Sequence, residues 1–189
     1  MNTYPTDPPR PFLERAREVP GWMGDAELWW LFRQAEAIPS ERRIVEVGCW
    51  LGRATVALAL GHPNPADIFV VDHFRGTIGE EAFFAIEGNP MSIFVANMQK
   101  LVGWVPQIIV ADSVEASVRF AYKSLSLVFI DADHEEEAVV QDIEAWLPRV
   151  RLGGVICGHD WLRPSVKKAV EASLGTVEAE ASIWFKRLT

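Results

Sequence analysis

A chain of 189 residues suits a single domain with a full-sized core. Its 49% hydrophobic and 23% charged residues are an ordinary globular mix, which argues against a disordered or fibrous chain. The net charge of −8 and the lack of a Lys/Arg cluster argue against nucleic acid as a partner, because an acidic surface repels a phosphate backbone.

Cys49 and Cys157 sit in apolar surroundings and read as buried free thiols, with no CxxC to suggest a zinc or redox site. The opening MNTYPTDPPRPF has neither the basic start nor the apolar stretch of a signal peptide, and no apolar run reaches the length of a membrane span. A cytoplasmic protein without a membrane partner is expected.

Pro5, Pro8, Pro9, Pro11 and Pro20 make residues 1–20 an extended or disordered arm, followed by a single domain over 21–189. Asp25 reads as the N-cap of a first helix, with Leu28, Trp29, Leu31, Phe32, Ala35 and Ile38 at helical spacing. Arg43–Val47 reads as a buried strand, 48–52 as a turn and Ala54–Leu60 as a helix. Ile68–Val71 is the second strand, and residues 80–102 look helical with a break at 88–90. Gln107–Val110 is the third strand and Ser113–Phe120 a short helix. Leu125–Ile130 is the fourth strand, Glu135–Leu147 a helix and Val155–Gly158 the fifth strand. Ser165–Leu174 is a helix, and Thr176–Leu188 reads as an antiparallel hairpin. Strands alternating with helices imply a mostly parallel sheet covered on both faces. There is no internal repeat.

In such a sheet ligands bind beyond the carboxyl ends of the strands. The turn after the first strand reads Glu46-Val-Gly48-Cys-Trp-Leu-Gly52. Gly48 permits a positive φ and close approach of a ligand, and Gly52 opens a helix whose N–H groups favour an anion. Its G-x-x-x-G spacing is not the G-x-G-x-x-G of dinucleotide enzymes, and no P-loop is present. Asp72, at the end of the second strand and 24 residues after Gly48, can accept the hydroxyls of a ribose. Asp112-Ser113 follows the third strand, where it can face an adenine or cap a helix.

The segments IVEVGCWLGRAT, VVDHFRG, ADSVEAS, VFIDADHEEEAVVQDIEAWLPRVRLGGVICGHDW and IWFKRL together resemble a class I S-adenosylmethionine-dependent methyltransferase. The likeness runs from about residue 40 to the C-terminus and is nearest to small-molecule O-methyltransferases of antibiotic-sugar and catechol type. It implies a Rossmann-like three-layer α/β/α sandwich around a seven-stranded sheet with an antiparallel C-terminal hairpin. It implies Glu46, Gly48 and Gly52 around the methionine part of S-adenosyl-L-methionine, Asp72 on the ribose, and Asp112 with Ser113 near the adenine. Trp50, His73 and Asp131 complete the expected cofactor set.

A second constellation follows the fourth and fifth strands: Asp131, Asp133, His134, His159 and Asp160. Asp131, His159 and Asp160 are candidate ligands of a divalent metal ion, magnesium or manganese, which would orient an acceptor hydroxyl and lower its pKa. His134, Asp131 and Asp160 are the candidate catalytic residues, with His134 as the base. The resembled enzymes carry two acidic residues, or one and an amide, where this chain has His159-Asp160. That departure leaves open a metal-independent reaction with His159 as base. Arg75, Gly76 and Thr77 with Trp50, Trp104 and Trp161 are candidates for an acceptor pocket. So short a chain leaves room for a homodimer, with a second subunit covering the site.

The expected function is methylation of a small-molecule hydroxyl. The alternatives are a metal-independent N-methyltransferase, a non-catalytic cofactor-binding subunit, or an NAD-linked oxidoreductase. The last is disfavoured by the missing G-x-G-x-x-G and Tyr-x-x-x-Lys.

Overall fold

A computed structural model describes residues 10–62, 64–76 and 87–189. Five parallel strands lie side by side, β1 (Arg43–Val47), β2 (Ile68–Val71), β3 (Gln107–Ile109), β4 (Leu125–Ile130) and β5 (Val150–Gly158). A hairpin of β6 (Glu178–Glu180) and β7 (Ile183–Arg187) ends the chain. The strand order is β3-β2-β1-β4-β5-β7-β6. β7 enters antiparallel to β5 and carries β6 on its far side. The expected Rossmann-like architecture with an antiparallel C-terminal hairpin is therefore the observed one.

Strand side chains alternate between two cores, as the period of two requires. Ile44, Ile68, Val70, Leu127, Phe129, Val155 and Cys157 face one core, which also packs α1 (Arg10–Arg17), α2 (Asp25–Glu36), α3 (Arg53–Gly61) and α4 (Pro90–Leu101). Val45, Val47, Val71, Val128, Ile130 and Ile156 face the other, with α5 (Ser113–Ser117), α6 (Glu136–Trp146) and α7 (Pro164–Leu174). β4 is buried along its whole length because it has a strand on each side and helices on both faces. Both cysteines are free and buried, as their apolar contexts imply.

The sequence differs from the structure in four places. Residues 10–17, expected as part of an extended arm, form helix α1; Phe12, Leu13 and Ala16 share an apolar face, and its burial on the core outweighs the local proline content. The residues before it lie outside the described ones. The N-cap of α2 is Gly24 rather than Asp25, since Glu27 Oε2 accepts from the Gly24 N–H at 2.7 Å. β5 starts five residues early, at Val150, with a register shift against β4 at its start. The helix expected over 80–102 is seen as α4 from Pro90, its first part lying mostly outside the described residues. No helix among the described residues is long and apolar enough to cross a membrane.

The strand order reverses between β1 and β4: the chain moves outward through β2 and β3, then returns to the other side of β1. Ligand crevices form at such a switch point.

Candidate active site

A cavity of about 1060 Å³ opens at the carboxyl ends of β1 to β5. Its floor is held in register by main-chain bonds between loops and strand ends. The Gly48 N–H donates to Val71, the Asp131 N–H to Val47 and the His159 N–H to Ile130. Gly48 has φ +81, and a Cβ there would stand 2.1 Å from the Asp131 carbonyl oxygen. Only glycine lets the β1 turn pass this close to the end of β4. Trp50, Phe74 and Asp160 also line the cavity with positive φ. Backbone strain gathers where the surrounding structure has a site to shape.

At the β1–β3 end, Glu46 is fully buried, and neither of its carboxylate oxygens has a hydrogen-bond partner. Burial pushes its pKa up to about 8; the neighbouring Thr55 hydroxyl, not aligned for a hydrogen bond, opposes the shift, and Asp131 and Asp72 add to it. An unpartnered carboxylate on a cavity wall fits a donor-bearing cationic ligand. Asp72 ties the two loops together. Its Oδ2 accepts from the N–H groups of Cys49 (2.9 Å) and Trp50 (2.8 Å), and its Oδ1 from Phe74 (2.6 Å). Oδ2 is filled by its two donors, and Oδ1 keeps an acceptor site for a ribose hydroxyl. His73 lines the same wall and accepts from the Arg75 N–H through Nδ1. Asp112 is exposed at the N-cap of α5. Ser113 Oγ accepts from Trp146 Nε1 at 2.8 Å and hydrogen-bonds Asp142. Burial raises the Asp142 pKa to about 6, with Ser113 opposing. Asp142 lines the cavity and was missed in the sequence; its signal is a lone acid beside the apolar stripe Val139, Ile143 and Trp146.

At the β4–β5 end, His134 Nε2 lies 2.9 Å from Asp160 Oδ2, and His159 Nδ1 lies 3.2 Å from the same oxygen. Asp131 Oδ1 is 3.8 Å from His159 Nδ1. Burial pulls both imidazoles down. Hydrogen bonds to Asp160 outweigh it for His134, and bonds to Asp160 and Glu27 lift His159 to about 10. Burial pushes the Asp160 carboxyl up, but its two histidines hold it well below the usual carboxylate range. Asp131 is pushed up to about 6 by burial, against the pull of His159.

The sequence did not reveal Glu27. It is buried, its Oε1 accepts from the Ser182 N–H at 3.1 Å and lies 3.4 Å from His159 Nε2. It lies far from His159 in sequence, and its visible signal is only an acidic residue in the first turn of α2. Asp133, expected in the cluster, spends its Oδ1 on the Glu135 N–H at 2.8 Å as a turn residue before α6. Asp131, His134 and Asp160 each offer a donor atom within 4.8 Å of the others. Of the expected metal set, His159 keeps its Nδ1 beside Asp160 and Asp131 while its Nε2 faces Glu27. Of the proposed acceptor-pocket residues, Trp50, Arg75 and Gly76 line the cavity. Trp104 packs on the first core and Trp161 on the second, and Thr77 lies outside the described residues.

Residues 45–161, more than half of the chain, match a family model described as a methyltransferase domain. The chain belongs to this methyltransferase family. Solved structures share its fold. A Corynebacterium glutamicum protein is 16% identical over 99% of this chain and 93% of its own, with TM-score 0.69. The O-methyltransferase NovP is 15% identical over 88% and 81%, with TM-score 0.67. An O-methyltransferase from Bacillus cereus in complex with SAH is 15% identical over 96% and 92%, with TM-score 0.63. A sequence search of curated proteins finds no match. The cavity fits S-adenosylmethionine, the cofactor that the sequence resemblance implies, in its chemistry: the buried Glu46 carboxylate makes no hydrogen bond, Asp72 Oδ1 has an acceptor site left, and the turn at Gly48 admits close approach.

Proposed function

We propose that this methyltransferase methylates a hydroxyl of a small molecule, with His134 as the base. The observation that carries the reading is the His134–Asp160 pair at 2.9 Å, part-buried on the cavity wall where β4 and β5 end. The O-methyltransferases among the fold neighbours support it. When bound, S-adenosylmethionine supplies an electrophilic methyl group. Glu46 would hold its ammonium group, Gly48 and Gly52 would admit its backbone, and Asp72 would take the ribose hydroxyls. Asp112 and Ser113 would border the adenine, with Trp50, His73 and Asp131 completing the wall. At the other end the wall orients the acceptor oxygen and excludes water, and His134 takes its proton. Asp160 Oδ2, 2.9 Å from His134 Nε2, holds the ring in place. The Asp160 carboxylate then stabilises the imidazolium formed.

A second reading rests on the Asp131, His134 and Asp160 donors lying within 4.8 Å of one another. Two carboxylates and an imidazole suit manganese or magnesium, which would lower the pKa of the acceptor hydroxyl. One experiment separates the two. Methyl transfer to a panel of phenols and sugars is followed through SAH release, before and after EDTA, and again with manganese added. Activity that survives EDTA supports His134 acting alone, and loss restored by manganese supports the metal. SAH binding without transfer to any hydroxyl sinks both.

A further inference from the structure

Arg53 opens helix α3 and lines the cavity. Its stem lies against Gly21, where a Cβ would come within 2.8 Å of Arg53 Cδ. Its Nη1 donates to the Gly21 carbonyl, while Nε is buried with no hydrogen-bond partner. Among the described residues no carboxylate forms an ion pair with it. The other arginines of the wall differ: Arg163 Nε lies 3.3 Å from Asp160, and Arg75 is exposed.

The contrast with the surrounding wall gives this its meaning. Glu46, Asp72, Asp131 and Asp160 line the same cavity, so acids are abundant, yet Arg53 is anchored to a main-chain carbonyl instead. Burial depresses its pKa, with the charges of Asp25 and Glu27 opposing from beyond ion-pair distance. Its buried Nε–H lacks an acceptor, which a bound anion would supply. Its planar fork matches a carboxylate or phosphate. Beside it Trp22 stacks on Trp50, with centroids 5.0 Å apart and planes at 25°, and both rings line the cavity as a flat apolar wall.

We propose that Arg53 receives an anionic group, a carboxylate or phosphate, of the methyl acceptor, which makes the acceptor an acidic hydroxy compound lying against Trp22 and Trp50. The assignment rests on the hydroxyl-methylation reading for what the acceptor does, and its anion site is testable by binding alone.

The test uses the full chain saturated with SAH, titrated calorimetrically with benzoate, inorganic phosphate and neutral benzamide. At least one of the anions binds, and benzamide binds about tenfold more weakly or not at all. Arg53→Gln weakens the anion about tenfold and leaves the Kd for SAH within about twofold. Arg53→Lys, which keeps the charge but loses the fork, falls between them and takes the place of Arg53→Gln if that variant fails to fold. Three results overturn the proposal. The first is no anion binding to the SAH-saturated wild type. The second is unchanged anion affinity in the variants. The third is a loss of about tenfold or more in SAH affinity, which would make the cofactor's own carboxylate the partner of Arg53. Failure of the wild type to bind SAH would instead sink the cofactor assignment. Anion binding without transfer to any hydroxyl would sink only the chemistry.

Discussion

The two ends of the cavity are made of different material. At the β1–β3 end the shape comes from main chain: the Gly48 turn against the Asp131 carbonyl, and three N–H groups gathered on Asp72. At the β4–β5 end it comes from side chains, with Asp160 between His134 and His159, and Glu27 behind His159. A backbone cradle cannot change without moving the sheet, whereas a side-chain cluster can be exchanged residue by residue. The first therefore belongs to the fold and the second to the particular reaction.

That contrast is open to attack at three points. The largest effect is expected from Gly48→Ala. Its Cβ would stand 2.1 Å from backbone that cannot retreat, at a φ of +81 that side chains rarely adopt. We expect destabilisation on the order of 4 kcal/mol, or failure to fold. A thermal melt within a few degrees of wild type would show that the cradle is softer than argued.

Asp160→Asn attacks the other end. It removes the charge that both histidines share but keeps the size of the side chain. Turnover should fall about 10²- to 10⁴-fold while the Kd for SAH stays within about twofold. Equal losses in both would erase the division between the two ends.

Glu46→Gln gives the smallest and most diagnostic effect. The folded-state pKa of Glu46 is raised from 4.5 to about 8, so the folded protein holds a proton there that the unfolded chain releases. Its contribution to stability is complete below pH 4.5 and is lost as pH rises towards 8. Asp131 and Asp142, both raised from 3.8 to about 6, add the same sign over a lower window. The melting temperature of the ligand-free wild type should therefore fall between pH 4.5 and 8, and the Gln variant should show a flatter profile. The same variant should bind SAH about tenfold more weakly, through loss of a charge-assisted hydrogen bond. Parallel pH profiles for the two proteins would mean that Glu46 has a partner in solution.

The sequence was informative where the physics is local. Strand β4 was read to its exact ends because six consecutive buried residues leave no polar face. The Gly48 turn, Asp72 and the residues after β4 and β5 were legible because each follows a strand end, where the fold itself puts ligands. Helix α1 was not legible, since Pro11 and the prolines before it speak locally for an extended chain while its burial is decided by distant residues. Asp133 was expected in the cluster, but the adjacent Glu135 N–H engages its carboxylate, and Glu27, which faces His159, comes from a distant helix. Glu27 and Asp142 were silent, as each becomes meaningful only beside a residue far along the chain.

The sequence by itself thus determined the alternation of strands and helices, the glycine turn after β1 and the polar residues at the strand ends, because periodicity and turn chemistry act over a few residues. Only the tertiary structure decided which acids are already engaged, which buried carboxylate makes no hydrogen bond, and which arginine of the wall forms no ion pair among the described residues. Those outcomes depend on competition among groups from separate elements, and burial sets the cost of losing it.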